Sequence, residues 1–106
     1  MKTLKFSESL VPLILSGKKT TTWRVNDDKD ISEGDIISLN RVTGSEFCRA
    51  KIISVKETTF GELSERDKEG HERFSSDGEM YQAYSGYYSI EIGPETNLKI
   101  VKFELL

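Results

Sequence analysis

Apolar and polar positions along this chain alternate in short runs, and no long helical stripe interrupts them. Leu4-Lys5-Phe6 places two apolar residues around a lysine and predicts an opening strand. Leu10 to Ser16 is the most apolar stretch. Ser9 is placed to cap a short helix there, Pro12 falls in its first turn, and Gly17 follows where a left-handed residue ends a helix. Lys19-Thr20-Thr21-Thr22-Trp23-Arg24-Val25 is β-branched and aromatic and predicts a strand. Residues 26–35 form a loop rich in acid, with Asp27, Asp28, Asp30, Glu33 and Asp35 against Lys29, and it ends in a Glu33-Gly34-Asp35 turn.

Beyond that turn, Ile36 to Asn40 and Phe47 to Val55 read as a hairpin joined by Thr43-Gly44-Ser45. In its second arm Ala50, Ile52 and Ser54 face one way, and Lys51, Ile53 and Val55 the other. From Thr59 to Tyr88 the period changes. Phe60 to Leu63 starts a helical turn, and Ser75-Ser76-Asp77 caps a helix over residues 78–84. Leu98 to Leu105 alternates and closes the chain as a strand. Several short strands with helices between and beside them predict a small barrel or curled sheet in one domain.

Composition narrows the function classes. The 106 residues suit a single core, and the 36% hydrophobic and 31% charged content is that of a globular protein. The six-residue apolar run from Leu10 to Leu15 is too short to cross a bilayer, and the N-terminal residues lack a signal-peptide pattern, so a cytoplasmic location without membrane contact is expected. One cysteine, Cys48, excludes an internal disulfide and reads as a small apolar filler. One histidine, His71, with Glu69 and Glu72 is too thin a set for a metal, and a polar loop is expected there. No metal or cofactor is expected. A net charge of −3 argues against a DNA duplex as partner.

Candidate chemistry concentrates in Gly17-Lys18-Lys19-Thr20-Thr21-Thr22-Trp23-Arg24. Strand alternation puts Thr20, Thr22 and Arg24 on one face and Thr21 and Trp23 on the other. With Trp23 in the core, Thr22 and Arg24 turn toward a surface or cleft, and Lys19, just after the Gly17 turn, is free to swing beside Thr22. The same residues admit a plainer account: cations after a helix C-terminus, a half-exposed threonine strand, and an arginine paired with an acid of the next loop. Met80, Tyr81, Tyr84, Tyr87 and Tyr88 likewise read either as a helix covering the core or as stacking platforms for a base.

The pattern Gly17-x-Lys19-x-x-Thr22-x-Arg24, between a short helix and an acidic loop ending in Gly34-Asp35, resembles the signature of ASCH domains, relatives of the PUA domain. The likeness extends through the middle strands, the Glu69-Gly70-His71-Glu72 stretch and the final Lys102-Phe103-Glu104-Leu105 strand. It implies an α+β, PUA-like small β-barrel of about five to six mostly antiparallel strands with two or three short helices, filling residues 1–106. Many ASCH proteins carry glutamate where Thr22 stands. The threonine form is similar to a small bacterial branch that hydrolyses the acetyl amide of N(4)-acetylcytidine with a lysine, a threonine and a downstream glutamate. The first two match Lys19 and Thr22. Across a gap the third falls on Glu72, with Glu69 as second choice.

The resemblance thus implies an amidohydrolase. Thr22 attacks the acetyl carbonyl, Lys19 receives its proton, Arg24 stabilises the oxyanion, and Glu72 holds the cytosine edge or moves a proton. Direct attack by water, with Thr22 orienting the amide, is the alternative. Arg24, Lys18 and Tyr84 are the expected substrate-binding residues. The partner is a small-molecule nucleoside or single-stranded RNA, met by a monomer. Two other functions fit the same fold: a non-catalytic RNA-binding module and an RNA-cleaving hydrolase.

Overall fold

The computed structural model, which describes residues 1–27 and 29–106, opens with β1 (Thr3–Phe6), a 3₁₀ turn (Glu8–Leu10) and α1 (Val11–Leu15). Then follow β2 (Thr21–Arg24), β3 (Ile36–Arg41) and β4 (Glu46–Thr59). A second 3₁₀ turn (Phe60–Glu62), α2 (Glu65–Lys68), α3 (Asp77–Tyr88) and β5 (Asn97–Leu105) complete the chain. Asp28 of the acidic loop lies outside the described residues.

The five strands make one curled mixed sheet in the order β1-β3-β4-β5-β2, a half-barrel of the expected α+β, PUA-like class. The β3–β4, β4–β5 and β5–β2 pairings are antiparallel, while β1 runs parallel to β3, with Thr3 opposite Ser38 and Phe6 opposite Arg41. The parallel pairing follows from the connection: a helix and a whole strand, β2, intervene between β1 and β3, so the chain has returned to its starting end. This leaves β1 and β2 as the sheet's edges. Across the seam between them the Arg24 guanidinium donates from Nη2 to the Lys5 carbonyl at 2.9 Å.

Two apolar clusters stabilise the sheet. The first contains Leu4, Phe6, Ile14, Ile37, Leu39, Ala50, Ile52, Val101 and Phe103, and α1 contributes to it through Ile14. The second contains Trp23, Val25, Phe60, Met80, Tyr84, Ile92, Leu98 and Ile100, and α3 contributes Met80 and Tyr84. Strand alternation divides β5 between them: Leu98 and Ile100 serve the second cluster, Val101 and Phe103 the first. Cys48 is half-buried against the first cluster, and burial pushes its thiol pKa up, which suits the filler role.

Three of the local expectations fail for identifiable physical reasons, while β4 and α3 run on past their expected ends at Val55 and Tyr84, and α2 was not expected. Ser9 caps nothing, because the chain enters α1 through a 3₁₀ turn and neither Ser7 nor Leu10 makes a side-chain cap. The strand expected from Lys19 to Val25 is confined to Thr21–Arg24. The Lys19 N–H is still tied to the Leu13 carbonyl of the helix end (3.0 Å), and Asn26, with φ 54°, turns the chain away after Val25. In β4 the register shifts between Ile52 and Ser54. That bulge leaves Ile53 42% exposed and brings Val55 onto the first cluster with Ala50 and Ile52, where strict alternation had set it on the opposite face.

Candidate active site

Gly17, at φ +81°, ends α1 as a left-handed residue, and the Lys18 and Lys19 N–H groups both bond the Leu13 carbonyl at 3.0 Å. This turn sends the Lys19 side chain inward, where it is 3% exposed. A buried ammonium needs partners. Lys19 Nζ donates to the Thr21 carbonyl at 2.8 Å and to Glu72 Oε2 at 2.5 Å. Burial lowers the Lys19 pKa and Arg24 adds to that, while Glu72 opposes it. Burial also disfavours the Glu72 carboxylate, yet its pKa falls below the usual range because His71 and the Lys19 ammonium face it. With the ring neutral near pH 7, we assign most of that hold to Lys19.

A second loop meets the motif here. The Gly70 carbonyl accepts from the N–H groups of Thr20 (2.8 Å) and Thr21 (3.1 Å), and the Thr21 hydroxyl donates to the Glu69 carbonyl at 2.7 Å. Gly70 sits at φ +73°, and a Cβ there would collide with the Thr20 hydroxyl. Its lack of a side chain therefore lets the loop lie flat on the motif and carries Glu72 to Lys19. Glu69 itself is exposed and offers its backbone to Thr21.

His71 lies beneath the pair. Its ring stacks on Trp23, with centroids 3.7 Å apart and planes 10° from parallel. Nδ1 is 2.9 Å from the Glu72 carbonyl oxygen, and Nε2 is 3.1 Å from the Tyr84 hydroxyl. Burial, helped by Lys19, pushes its pKa down to about 4. The Glu69–Glu72 stretch was expected as a polar loop. It is a loop in backbone, but its histidine is buried, because the indole face offers an apolar bed and both ring nitrogens find partners.

Thr22, 4% exposed, accepts from Arg24 Nε at 3.1 Å. The Arg24 guanidinium also lies over the Phe6 ring, 4.8 Å from its centroid. No ion pair to Arg24 occurs among the described residues; the seam takes the place of the acid that the plainer account supplied. These groups line a cleft of about 540 Å³ at the seam. Lys19, Thr22, Arg24, Glu72 and Tyr84 all face it, together with His71, and Lys18 does not: it is exposed on the turn. The tyrosine helix divides between core and cleft. Met80 and Tyr84 are core, whereas Tyr87, 71% exposed, and Tyr88 form the cleft rim. The sequence reading missed Phe6, the Lys5 carbonyl, Gly70 and His71. The available signal for the last two was a lone glycine before the chain's single histidine, in a chain with a single tryptophan.

Among the described residues no helix is long and apolar enough to cross a membrane. No family model matches the chain. It is 42% identical over 53 residues to a Vibrio vulnificus (strain YJ016) protein named N(4)-acetylcytidine amidohydrolase, a match covering 49% of this chain and 51% of that one. A Vibrio atlanticus (strain LGP32) protein of the same name is 38% identical over 64 residues, covering 59% of this chain and 62% of its own. The chain therefore spans between about half and three fifths of the length of the curated relatives it matches. The crystal structure of an ASCH domain from Lactobacillus crispatus JV V101 superposes with a TM-score of 0.68 at 18% identity, over 89% of this chain and 68% of that one. The half-barrel is thus the ASCH fold, and the sequence carried on it is similar in part to proteins named N(4)-acetylcytidine amidohydrolase.

Proposed function

We propose that the cleft hydrolyses a short acyl amide on the exocyclic nitrogen of a pyrimidine nucleoside, with N(4)-acetylcytidine as the representative substrate. The observation that carries this reading is the pairing of buried Lys19 with half-buried Glu72, 2.5 Å apart, in the same cleft as the Thr22 hydroxyl. The names of the matched Vibrio proteins support it.

In the resting cleft Lys19 is an ammonium and cannot act as a base. A bound substrate displaces water from half-buried Glu72, and the loss of solvation favours transfer of the proton from Nζ to the carboxylate. The neutral amine then takes the Thr22 proton as Oγ1 bonds to the acyl carbon. Arg24, which already donates to Oγ1, stabilises the negative charge that develops. When the C–N bond breaks, protonated Glu72 gives its proton to the leaving nitrogen. The free amine departs, and Thr22 is left as an ester beside a restored ammonium and carboxylate. Glu72 next takes a proton from water as it attacks the ester and returns it to the Thr22 oxygen, releasing the carboxylic acid. The acceptable ligand is the free nucleoside or the same base within single-stranded RNA.

Deacetylation of N(4)-acetylcytidine by the wild type, Lys19→Ala and Thr22→Ala is the test. Each substitution should lower kcat/KM by about a hundredfold or more, and rapid quenching should trap an acetyl group on Thr22. Equal rates in all three proteins would end the mechanism. Absence of nucleoside turnover, with RNA retention that weakens steeply with salt, would favour a binding module instead.

A further inference from the structure

The neighbours of His71 reveal which ring nitrogen carries hydrogen. Nδ1 lies 2.9 Å from the Glu72 carbonyl oxygen and 3.4 Å from the carboxylate Oε2. Both are acceptors, so Nδ1 is the N–H. Burial and the Lys19 ammonium keep the ring neutral at ordinary pH, since its pKa is about 4, and a neutral ring has one N–H. Nε2 is therefore bare. Its 3.1 Å contact with Tyr84 is a hydrogen bond that the phenol donates. Burial also holds that phenol protonated well above its ordinary range. The one hydrogen of Tyr84 is committed to His71, and the phenol oxygen can otherwise only accept.

We infer that His71 is a positioning residue that makes Tyr84 an acceptor-only contact in the cleft, so that the ligand group recognised there is an N–H donor. This rests on the amide-hydrolase reading for the identity of that donor: the N–H of a secondary amide attached to the pyrimidine ring. The cleft then divides by polarity. Lys19 and Arg24, which flank Thr22 in the motif, offer donors, and Glu72 and Tyr84 offer acceptors. A secondary amide presents a carbonyl oxygen to the first group and an N–H to the second. A tertiary amide or an ester lacks the N–H and forfeits that contact. The stack on Trp23 fixes the ring plane on which the arrangement depends, and Trp23 is itself held by donation from Nε1 to the Asp67 carbonyl at 3.3 Å.

His71 is the single histidine of the sequence, so the ring ¹⁵N spectrum contains one pair of signals. At neutral pH it should report a protonated Nδ1 and a bare Nε2. N(4)-acetylcytidine should perturb those signals at a concentration about tenfold or more below that needed for N(4)-acetyl-N(4)-methylcytidine, which has no amide N–H. In Tyr84→Phe the two concentrations should agree within about twofold. An Nε2–H tautomer, a charged ring, equal response to the two compounds, response to neither, or selectivity that survives Tyr84→Phe each overturns the inference. If Tyr84→Phe does not fold, the tautomer and the two-compound comparison on the wild type decide. Turnover measured on the same samples separates the two ideas. Selective binding without turnover sinks the amidohydrolase and leaves this inference standing, and turnover of both compounds at equal kcat/KM does the reverse.

Discussion

The two apolar clusters share one sheet but differ in chemistry. The first is built from aliphatic residues and phenylalanines, and its fully buried members Leu4, Ile14, Ile37, Leu39, Ile52 and Val101 have no polar atom in their side chains. The second is centred on Trp23, Phe60 and Tyr84, and two of these carry a polar handle: the indole N–H of Trp23 and the phenol of Tyr84. Those handles need partners once buried, and they find them in the α2 backbone and in His71. The candidate site is assembled against the second cluster because aromatic faces bury area while their edges hold polar groups in place. The first cluster stabilises the sheet and has no polar side chain to aim.

Substitutions can separate these roles. Leu39→Ala, in the first cluster, should cost about 2–5 kcal/mol in chemical denaturation, because a fully buried aliphatic leaves a cavity. Activity per folded molecule should stay near that of the wild type. Equal loss of both would deny the separation.

Acid should act through the second cluster. The His71 pKa is about 4 in the folded chain against about 6.5 when exposed, so the unfolded chain binds the proton first. Stability is fully present above pH 6.5 and is lost as pH falls toward about 4, by on the order of 3 kcal/mol. Glu72, also depressed, extends the loss in the same direction below the ordinary carboxylate range. Urea titrations at a series of pH values check this, and removing the imidazole by His71→Phe should flatten the upper part of the profile. A profile that keeps its shape in His71→Phe would place the acid sensitivity elsewhere.

Gly70→Ala should have the smallest effect on stability and a disproportionate one on chemistry. The left-handed backbone and the collision with the Thr20 hydroxyl should cost about 1–3 kcal/mol. Because this loop carries Glu72 to Lys19, kcat/KM should fall by more than the loss of folded protein explains. Proportional loss would make the loop ordinary scaffold.

Much of the fold was legible because its determinants are local. The alternation of Leu4 to Phe6 and of Leu98 to Leu105, the Gly17 stop and the Gly44 turn all act within a few residues, and the corresponding elements formed. The spacing of Lys19, Thr22 and Arg24 was legible for the same reason: one turn and one short strand aim all three. The bulge at Ile53 was not legible, since either register satisfies the residues of β4 taken alone and the partner strand β5 decides.

What the amino-acid order determined alone is most of the elements, α2 excepted, and the cationic and hydroxyl half of the site. Tertiary structure decided the remainder: Glu72 reaches Lys19 across 53 residues, and His71 finds the Trp23 face across 48. Periodicity carries no information at such separations. Those contacts exist because a buried ammonium must meet an anion and a flat ring must cover an indole, and only the assembled sheet brings the two loops together.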